Sequence, residues 1–525
     1  MLQAGTTVKT GAGKRMNAAE AVLGPALAAG RGTAPALLWR DRSYSYDQVQ
    51  AQVNRAGQAL RAQGVEPENR VLMVLSDTPE LVFAYLGAIK IGAVAVAVNV
   101  RASSSDILHM LRDSRAKVLL IERRFLAAYE PIRAQVGHPH RVVVHDADEG
   151  ERSELGRLIA AAPAALEPVM MAPDDMAFWI YTSGTTGSAK GAVHLQRDVL
   201  AADAYTGGVL GVKPGDVLFG SSKLFFAYTL GNCLFGSFRL GATTVLYDGW
   251  PDARTVAETL RRYRPSVVFS VPTLYRNMLG EGVAASEPAF RGVRHYVSAG
   301  ERLPEALWHG WRAATGVEIL DGMGTSETIY MLLSNRPGSV KPGSSGTATP
   351  GTELKLADSD GRDVKPGEAG ILWARIASRA DRYWNARDKS QEAFHGPWFR
   401  TGDMYAIDAD GYWHHQGRFD DMLKISGQWV SPAEIEEVVL AATPCTDAAV
   451  VGVPDPDGLP RTALFAVPPG GGFDAGALES EIRRVVSERL SPYKCPKWVR
   501  FVNEIPRTAT GKVQRFKLRA EALEG

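Results

Sequence analysis

The 525-residue sequence lacks the marks of a membrane protein, a disulfide-stabilised protein or a polyanion-binding protein. Its only cysteines, Cys233, Cys445 and Cys495, are widely spaced without a CxxC pair, which disfavours a disulfide framework or zinc cluster and suits a reducing compartment. The longest apolar runs, such as Gly92–Val100, have strand length, and Met1–Arg15 has no apolar core that would indicate a signal peptide. A net charge of +1 gives no overall field toward nucleic acid or membrane. We therefore expect a cytoplasmic protein.

Strand and helix patterns alternate through most of the chain. Continuous apolar runs such as Arg70–Leu75 indicate buried strands, and helical periodicity follows them, as over Thr78–Lys90. This alternation predicts an α/β fold of parallel sheets covered by helices. An Ala/Pro-rich connector is expected over Glu149–Pro173, and shorter strands with Asp/Gly turns after about residue 343 indicate a mainly antiparallel subdomain.

The length of the chain implies two or more domains. Residues 1–34 are predicted to be a loose, Ala/Gly-rich lead-in. Residues 35–419 are predicted to form a large N-terminal domain of two helix-covered, mostly parallel sheets, with the β-rich subdomain at about 343–419. Residues 420–525 are predicted to form a small α/β domain, with a hinge near Asp420.

A loop rich in glycine and hydroxyl residues, Thr182–Gly191, follows a short apolar strand. Glycines let successive N–H groups point inward, and such a nest next to Lys190 binds phosphate. A surface linker is the alternative, but the buried strand leading into the loop disfavours it. The loop differs from the common P-loop, because Ala189 replaces the last glycine and Gly191 replaces the hydroxyl that holds magnesium. A metal ligand must therefore come from elsewhere.

Two later segments, His295–Glu301 and Val317–Glu327, each look like a strand that ends in a glycine-containing loop. Loops at the carboxyl ends of parallel strands are the usual ligand sites of such sheets. Together with the Thr182–Gly191 loop, they predict one shared site.

The segment from Ser491 to Ala520 is strongly basic. Glu504 is its one acidic residue, against eight basic ones: Lys494, Lys497, Arg500, Arg507, Lys512, Arg515, Lys517 and Arg519. A solvated basic tail and a site for a phosphorylated ligand are both open. Nucleic acid is less favoured, since the net charge of +1 gives no overall field toward it.

Several motifs, in the same order, resemble those of the acyl-adenylate-forming superfamily of acyl-CoA synthetases, luciferases and adenylation domains. They are Tyr181–Gly191, Ser298–Glu301, Met323–Glu327, Trp398–Asp403, Gly417–Gly427 and Pro506–Lys512. The resemblance covers roughly residues 35–518. Within the superfamily, Lys223–Gly231 and Leu333–Gly338 look most like benzoate-CoA ligases and related aryl-CoA ligases.

This resemblance implies an AMP-forming acid–thiol ligase that uses ATP, Mg²⁺ and coenzyme A. A carboxylate would attack the α-phosphorus of ATP, forming acyl-AMP and pyrophosphate, and the CoA thiol would then displace AMP. The family's C-terminal domain is mobile, and rotation about Asp420 would remove Lys512 after the first step. The same rotation would bring in Lys424, Ser426 and Gly427 to line a tunnel for the pantetheine arm.

Family likeness also assigns the residues of the first half-reaction. Lys512 is the expected adenylation catalyst, Glu327 the Mg²⁺ ligand and Ser326 a contact to the α-phosphate. Asp403 and Arg418 are expected at the ribose hydroxyls. The remaining nucleotide-binding residues are expected in the phosphate loop and around adenine: Thr182, Ser183, Gly184, Thr185, Thr186, Gly187, Lys190, Ala299, Gly300, Glu301, Asp321, Gly322, Met323, Gly324 and Thr325.

The acyl pocket is expected at Phe226, Ala227 and Tyr228, with Gly324 and Tyr330. Aromatic residues around the small Ala227 suggest a short, flat cavity, with core packing as the alternative. Tyr330 stands near the position of a histidine in benzoate enzymes, and its hydroxyl could pair with a ring substituent. Benzoate is the leading substrate, and a hydroxybenzoate, 2-aminobenzoate or another short acid stays open.

Two other functions were weighed against an aryl-CoA ligase. An adenylation enzyme that loads a carrier-protein thiol would use the same machinery. A nucleotide-binding regulator without turnover is disfavoured by the presence of both Lys512 and Glu327. The expected partner is a small aromatic acid, with no nucleic acid and no membrane, and a homodimer is an open alternative for the assembly.

Overall fold

The computed structural model describes residues 15–182, 189–365, 367–425, 428–456, 458–470, 472–507 and 513–524. The chain divides into two compact units, one of Met1–Leu354 with Ala374–Arg400 and the other of Lys355–Trp373 with Thr401–Gly525. In the described parts of the chain, no helix combines the length and the apolar composition needed to cross a bilayer.

The strands are short, and many are apolar throughout. In chain order they are β1 (Pro35–Trp39), β2 (Arg42–Ser45), β3 (Arg70–Val74), β4 (Val94–Ala97), β5 (Val118–Glu122), β6 (Arg141–His145), β7 (Met176–Thr182), β8 (Lys190–Leu195), β9 (Val217–Gly220), β10 (Thr243–Val245), β11 (Val267–Ser270), β12 (His295–Ser298), β13 (Ile319–Gly324), β14 (Met331–Ser334), β15 (Thr347–Ala348), β16 (Glu353–Ala357), β17 (Gly370–Arg375), β18 (Arg382–Tyr383), β19 (Phe394–His395), β20 (Trp398–Ile407), β21 (Trp413–Arg418), β22 (Leu423–Ile425), β23 (Gln428–Val430), β24 (Asp447–Pro454), β25 (Pro460–Val467) and β26 (Trp498–Phe501).

The α-helices alternate with these strands. They are α1 (Ala18–Ala28), α2 (Tyr46–Ala62), α3 (Pro79–Lys90), α4 (Ser104–Ser114), α5 (Leu126–Tyr129), α6 (Glu154–Ala161), α7 (Ala202–Thr206), α8 (Ala227–Thr229), α9 (Ser237–Arg239), α10 (Ala253–Tyr263), α11 (Pro272–Gly280), α12 (Val283–Ser286), α13 (Glu305–Thr315), α14 (Arg387–Ala393), α15 (Pro432–Ala442), α16 (Ala475–Arg489) and α17 (Arg515–Glu524). A π-helix over Leu230–Gly236 joins α8 to α9.

Two large sheets form the frame of the first unit. Among the described residues, one has nine strands in the order β15-β14-β13-β12-β11-β9-β10-β1-β2, and the other has seven in the order β18-β8-β7-β4-β3-β5-β6. The inner strands are parallel, and β2, β8, β14, β15 and β18 are antiparallel additions. Apolar strands such as β4 are buried along their whole length, so both faces need helices. The predicted α/β fold is confirmed.

Local signals fix the ends of several helices as the sequence predicts. Ser45 begins α2 with a reciprocal capping box to Gln48, and Thr78 accepts the Leu81 N–H at the start of α3. Each such cap satisfies backbone donors that the first turn would leave unpaired.

The predicted loose lead-in is wrong from Asn17 onward. Asn17 caps α1 by accepting the N–H groups of Ala19 and Glu20, and its amide donates to the Ile89 carbonyl at 3.1 Å. Ala19 is fully buried. Helix α1 is apolar on most sides, so it lacks the polar face that marks a surface helix in sequence.

Helix α6 lies inside the region Glu149–Pro173, which the sequence predicts to be a connector.

The second unit contains shorter sheets. Strand β20 pairs antiparallel with β21, as expected for the β-rich region. Strand β24 pairs antiparallel with β25, which pairs parallel with β26, and α15, α16 and α17 accompany this sheet. The small C-terminal α/β fold is thereby confirmed, whereas its predicted mobility and its boundary at residue 420 stay predictions.

Candidate active site

The predicted adenine-side segments lie at one edge of the nine-stranded sheet. Strands β12 and β13 are parallel neighbours, with Ser298 opposite Asp321. Ala299, Gly300 and Glu301 directly follow β12, and Gly322, Met323, Gly324 and Thr325 end β13 or follow it. The structure therefore brings these segments together at strand ends, where such sheets bind ligands.

Asp321 is a buried carboxyl at this edge. It is 6% exposed, and burial raises its pKa well above the usual range for an aspartate. Its backbone carbonyl accepts from the Asn335 side chain at 3.0 Å.

The turn that carries Ser326 and Glu327 is held from outside by three donors. The Ser326 carbonyl accepts from His194 Nε2 at 2.9 Å and the Glu327 carbonyl from the Ala380 N–H at 2.7 Å. The next carbonyl, of Thr328, accepts from the Ser378 hydroxyl at 2.7 Å. Three successive carbonyls are thus fixed by β8 and by residues 378–380, which preorganises the turn.

His194 contacts the candidate site, and no motif of the sequence points to it. It is fully buried on β8, stacks on Phe178 at 5.0 Å, and its Nδ1 lies 3.0 Å from Asp198 Oδ2. Because a carbonyl only accepts, Nε2 must carry a proton toward Ser326. Burial raises the pKa of Asp198 against the lowering effect of its hydrogen bond to His194. The sequence signal for this pair was a histidine on an apolar strand with an aspartate four residues later.

The same turn is tight and strained. Ile329 adopts the left-handed conformation, with φ of 62°, which is unusual for a β-branched residue and costs on the order of 1–3 kcal/mol. Gly324 lies so close to the returning chain that a Cβ would be 2.9 Å from the Tyr330 carbonyl oxygen. A larger residue at position 324 would push the turn away from the strand end.

The carboxylate of Glu327 is 8% exposed and accepts a 2.7 Å hydrogen bond at Oε1 from the Tyr383 hydroxyl. Lys190, opposite Thr182 in the β7–β8 pair, places its ammonium 4.4 Å from the centre of the Tyr383 ring. One tyrosine therefore contacts the lysine of the predicted phosphate loop and the predicted metal ligand. No motif of the sequence points to Tyr383.

The second unit brings Asp403 and Arg418 together, as the motifs predict. They are opposite each other on β20 and β21, and Arg418 Nη1 donates to Asp403 Oδ2 at 2.9 Å. Gly402 has φ of 76°, and a Cβ there would lie 2.9 Å from Arg418 Nη2. Glycine is therefore needed for this pair to form. Asp420 is exposed in a short 3₁₀ turn, Phe419–Asp421.

The basic residues near the C-terminus are mostly paired with acids of their own unit. The pairs are Lys494–Glu434, Lys497–Asp455, Arg507–Asp447, Arg515–Glu436 and Arg519–Asp421. The interpretation of a solvated tail is therefore wrong for Lys494 and Arg515, whose side chains are 16% and 15% exposed. The other three pairs are partly exposed, and each contributes at most about 1 kcal/mol.

Three of the five predicted acyl-pocket residues lie in or against one core cluster. Ala227 is 6% and Tyr330 1% exposed within it, and Phe226 packs against it. Tyr228 points elsewhere, since its hydroxyl donates to the Val297 carbonyl at 3.0 Å. The Tyr330 hydroxyl is buried and has no hydrogen-bond partner among the described residues, which is uncommon in folded proteins.

Tyr85 has the same property, although no motif of the sequence points to it. It is 2% exposed in the same cluster, and its hydroxyl also has no hydrogen-bond partner in the described chain. Its ring lies 6.4 Å from that of Phe235 on the π-helix, and a Cβ on Gly231 of that helix would lie 3.0 Å from the Tyr330 ring. Burial raises the pKa of Tyr85, and the nearby Tyr330 phenol raises it further.

Comparison with known proteins decides the family. A model of the AMP-binding enzyme matches residues 26–384, and a model of the AMP-binding enzyme C-terminal domain matches residues 434–512. The chain belongs to the AMP-binding enzyme family. The predicted resemblance to the acyl-adenylate-forming superfamily is confirmed.

Relatives of this AMP-binding enzyme match it along nearly its whole length. The 3-hydroxybenzoate–CoA ligase of Aromatoleum sp. (strain CIB) is 45% identical over 96% of each chain. The benzoate–CoA ligase of Thauera aromatica is 42% identical over 97% of this chain and 96% of its own. The crystal structure of a benzoate CoA ligase from Burkholderia xenovorans LB400 is 37% identical with a TM-score of 0.86, covering 96% of this chain and 100% of its own.

Part of the predicted site lies outside the described residues. These residues are Ser183, Gly184, Thr185, Thr186, Gly187, Ser426, Gly427 and Lys512. Of Lys424, the backbone is described, opposite Trp429 in the β22–β23 hairpin.

The donor set around Glu327 fits Mg²⁺. In the part of the chain that the structure describes, no cluster of three or more His, Cys, Asp or Glu side chains could hold a metal ion. Mg²⁺ commonly takes one or two carboxylates and completes its shell with substrate phosphates and water. The carboxylate of Glu327, which shares the contact residue Tyr383 with Lys190, matches that pattern.

Proposed function

We propose that this AMP-binding enzyme is an ATP-dependent aryl-CoA ligase of the benzoate-CoA ligase type, with a hydroxybenzoate as its preferred substrate. The whole-length similarity to 3-hydroxybenzoate– and benzoate–CoA ligases supports the reaction class. The single observation that favours a hydroxylated ring is the pair of partnerless phenols, Tyr85 and Tyr330, in the core cluster of the acyl segment. The three free cysteines suit a cytoplasmic location.

The first half-reaction joins two anions and so needs positive charge and fixed donors. A carboxylate oxygen of the aryl acid attacks the α-phosphorus, the bond to the bridging oxygen breaks, and pyrophosphate leaves. Lys190 and the loop from Thr182 hold the β- and γ-phosphates, and Glu327 holds Mg²⁺, which neutralises phosphate charge when bound. Ser326 contacts the α-phosphate, and Lys512 bridges it to the acid. Asp403 and Arg418 hold the ribose.

The second half-reaction transfers the aroyl group to sulfur. The CoA thiol loses its proton and attacks the aroyl carbon, and AMP leaves with the electron pair. Residues 420–525 rotate about Asp420 between the half-reactions, so that Lys512 is replaced by the face with Lys424, Ser426 and Gly427. The adenylate is a good leaving group, whereas the oxide of a free carboxylate is not.

Recognition of the substrate ring depends on whether its substituent forms a hydrogen bond with a buried phenol. A buried phenol without a partner costs roughly 1–3 kcal/mol, and a substrate hydroxyl that pairs with it removes this cost. Benzoate has no such group and leaves Tyr85 and Tyr330 unpaired. The site should therefore favour a hydroxybenzoate over benzoate, and 2-aminobenzoate would compete only through its amine.

The deciding experiment is a panel of carboxylic acids assayed for AMP release with and without CoA. The panel contains benzoate, its three hydroxy isomers, 2-aminobenzoate and acetate, and thioester is identified by mass spectrometry. A hydroxybenzoate should give the highest CoA-dependent AMP release. Absence of CoA-dependent AMP formation with every aromatic acid would contradict the proposal, and transfer only to a carrier-protein thiol would replace it.

A further inference from the structure

Tyr383 occupies a two-residue strand between the two functional elements of the first unit. Strand β18 pairs with β8, placing Tyr383 opposite Ala192, just after Lys190 in the chain. Its backbone N–H donates to the Ser390 hydroxyl at 3.0 Å, and the side chain is 6% exposed. The position of the ring is therefore fixed by backbone pairing and by burial.

The Tyr383 hydroxyl fixes one oxygen of Glu327. It donates to Oε1 at 2.7 Å, while the Glu327 carbonyl is held by the Ala380 N–H three residues earlier in the same segment. Both ends of the residue are thus tied to 380–383. A carboxylate bound at one oxygen has a defined plane, which directs its other oxygen.

The ring of Tyr383 also fixes Lys190. The ammonium lies 4.4 Å from the ring centre, within the range of a cation–π interaction. Donation by the hydroxyl to a carboxylate increases electron density on the ring, which strengthens its attraction for the lysine. The two contacts therefore support each other through one side chain.

We propose that Tyr383 is a positioning residue that aligns the metal ligand Glu327 through its hydroxyl and the phosphate-loop lysine Lys190 through its ring. The proposal rests on the role of Glu327 in the proposed function. It adds that the metal site and the phosphate site are assembled by one residue on a separate strand. The hydroxyl acts on metal binding, and the ring acts on binding of the nucleotide.

Tyr383→Phe separates the two contacts, because it removes the hydroxyl and keeps the ring. Mn²⁺ binding is measured by electron paramagnetic resonance on the full-length enzyme with a non-hydrolysable ATP analogue. Loss of a residue that orients a metal ligand typically weakens metal binding 10- to 100-fold, and we expect a loss of about tenfold or more. Metal-free binding of the analogue should change less than about twofold, and the KM for the aryl acid should not change.

Tyr383→Leu removes both contacts and should also weaken metal-free binding of the analogue. Tyr263→Phe is the matched control, since it removes a hydroxyl that donates to the Arg40 carbonyl at 2.7 Å and should leave Mn²⁺ binding unchanged. Thermal unfolding of each variant checks the fold.

A double-mutant cycle decides between positioning and general destabilisation. In the Glu327→Gln background, Tyr383→Phe should have no further effect on Mn²⁺ binding. Weakened binding in Glu327→Gln together with unchanged binding in Tyr383→Phe would overturn the inference alone. Unchanged Mn²⁺ binding in Glu327→Gln would overturn the metal assignment in the proposed function, and the inference with it.

Discussion

On the phosphate side of the first unit, the carboxylate of Glu327 is hydrogen-bonded, whereas two buried phenols on the acyl side have no partner among the described residues. Around Glu327, the side chain accepts from Tyr383 and the neighbouring Ser326 carbonyl from His194, both at hydrogen-bond distance. In the cluster that contains the acyl segment, the hydroxyls of Tyr85 and Tyr330 are equally buried but have no partner among the described residues.

This difference corresponds to the chemistry of the two ligands. The phosphate side meets the same triphosphate in every turnover, so fixing its groups in advance lowers the cost of reaching the transition state. The acyl side meets acids that differ in their ring substituents, and unpaired polar groups there discriminate among them. The proposed function therefore assigns the reaction type to the side around Glu327 and the choice of substrate to the side around Tyr85 and Tyr330.

The largest expected effect is that of replacing Lys512, which is assigned to neither side. Lys512→Ala should lower acyl-AMP formation about 10³-fold or more, because it removes the cation between two anions. Thioester formation from supplied aroyl-AMP should stay within a few-fold of wild type. Single-turnover assays of each half-reaction measure both, and equal loss in the two would contradict the alternation of residues 420–525.

On the phosphate side, Glu327→Gln should lower kcat/KM for Mg-ATP about 10²- to 10³-fold, since the amide keeps the shape but loses the charge that holds the metal. A higher Mg²⁺ concentration should restore part of the rate of the Glu327→Gln variant. Steady-state kinetics with varied Mg²⁺ test this, with Glu301→Gln as the comparison. If both substitutions have the same effect, Glu327 has no special role.

Near the acyl side, Asp77 should make stability depend on pH. It accepts the Leu224 N–H ahead of Phe226, and burial, partly offset by Lys223, raises its pKa to about 6 from 3.8. As pH rises, the Asp77 carboxyl loses its proton in the unfolded chain before it does so in the folded chain. The free energy of unfolding is therefore highest at low pH and falls by about 3 kcal/mol as pH rises through 6.

Asp77→Asn keeps an acceptor for Leu224 and removes this titration. Relative to wild type, the variant should therefore gain about 2.5 kcal/mol between pH 4 and pH 7, because part of the loss has already occurred at pH 4. Urea unfolding at both pH values measures the difference. A constant difference between the two proteins would show that Asp77 titrates normally.

The smallest expected effect tests the unpaired side directly. Tyr330→Phe should lower the preference for the best hydroxybenzoate over benzoate about tenfold, because one hydrogen bond to the substrate hydroxyl is lost. The rate with benzoate should change little. Competition assays with both acids measure this ratio. A ratio equal to that of wild type would indicate that the phenol only fills space.

Much of the fold followed from the sequence because its signals are local. The caps at Ser45 and Thr78 and the apolar strands have short-range causes, and glycine loops after strands pointed to the correct sheet edge. Helix α1 was missed because it is buried on nearly all sides. The contacts of His194 to Ser326 and of Tyr383 to Glu327 were missed because they join residues 132 and 56 positions apart, and no local pattern records such a pairing. The spacing of His194 to Asp198 was the one local signal.

Two conservative substitutions, Tyr383→Phe and Tyr330→Phe, test the division between the two sides most directly when each is assayed for both properties. Tyr383→Phe should weaken Mn²⁺ binding about tenfold and leave the hydroxybenzoate-to-benzoate ratio unchanged. Tyr330→Phe should do the reverse. If either variant shifts both properties to a similar extent, the two sides are not separate and the account is contradicted.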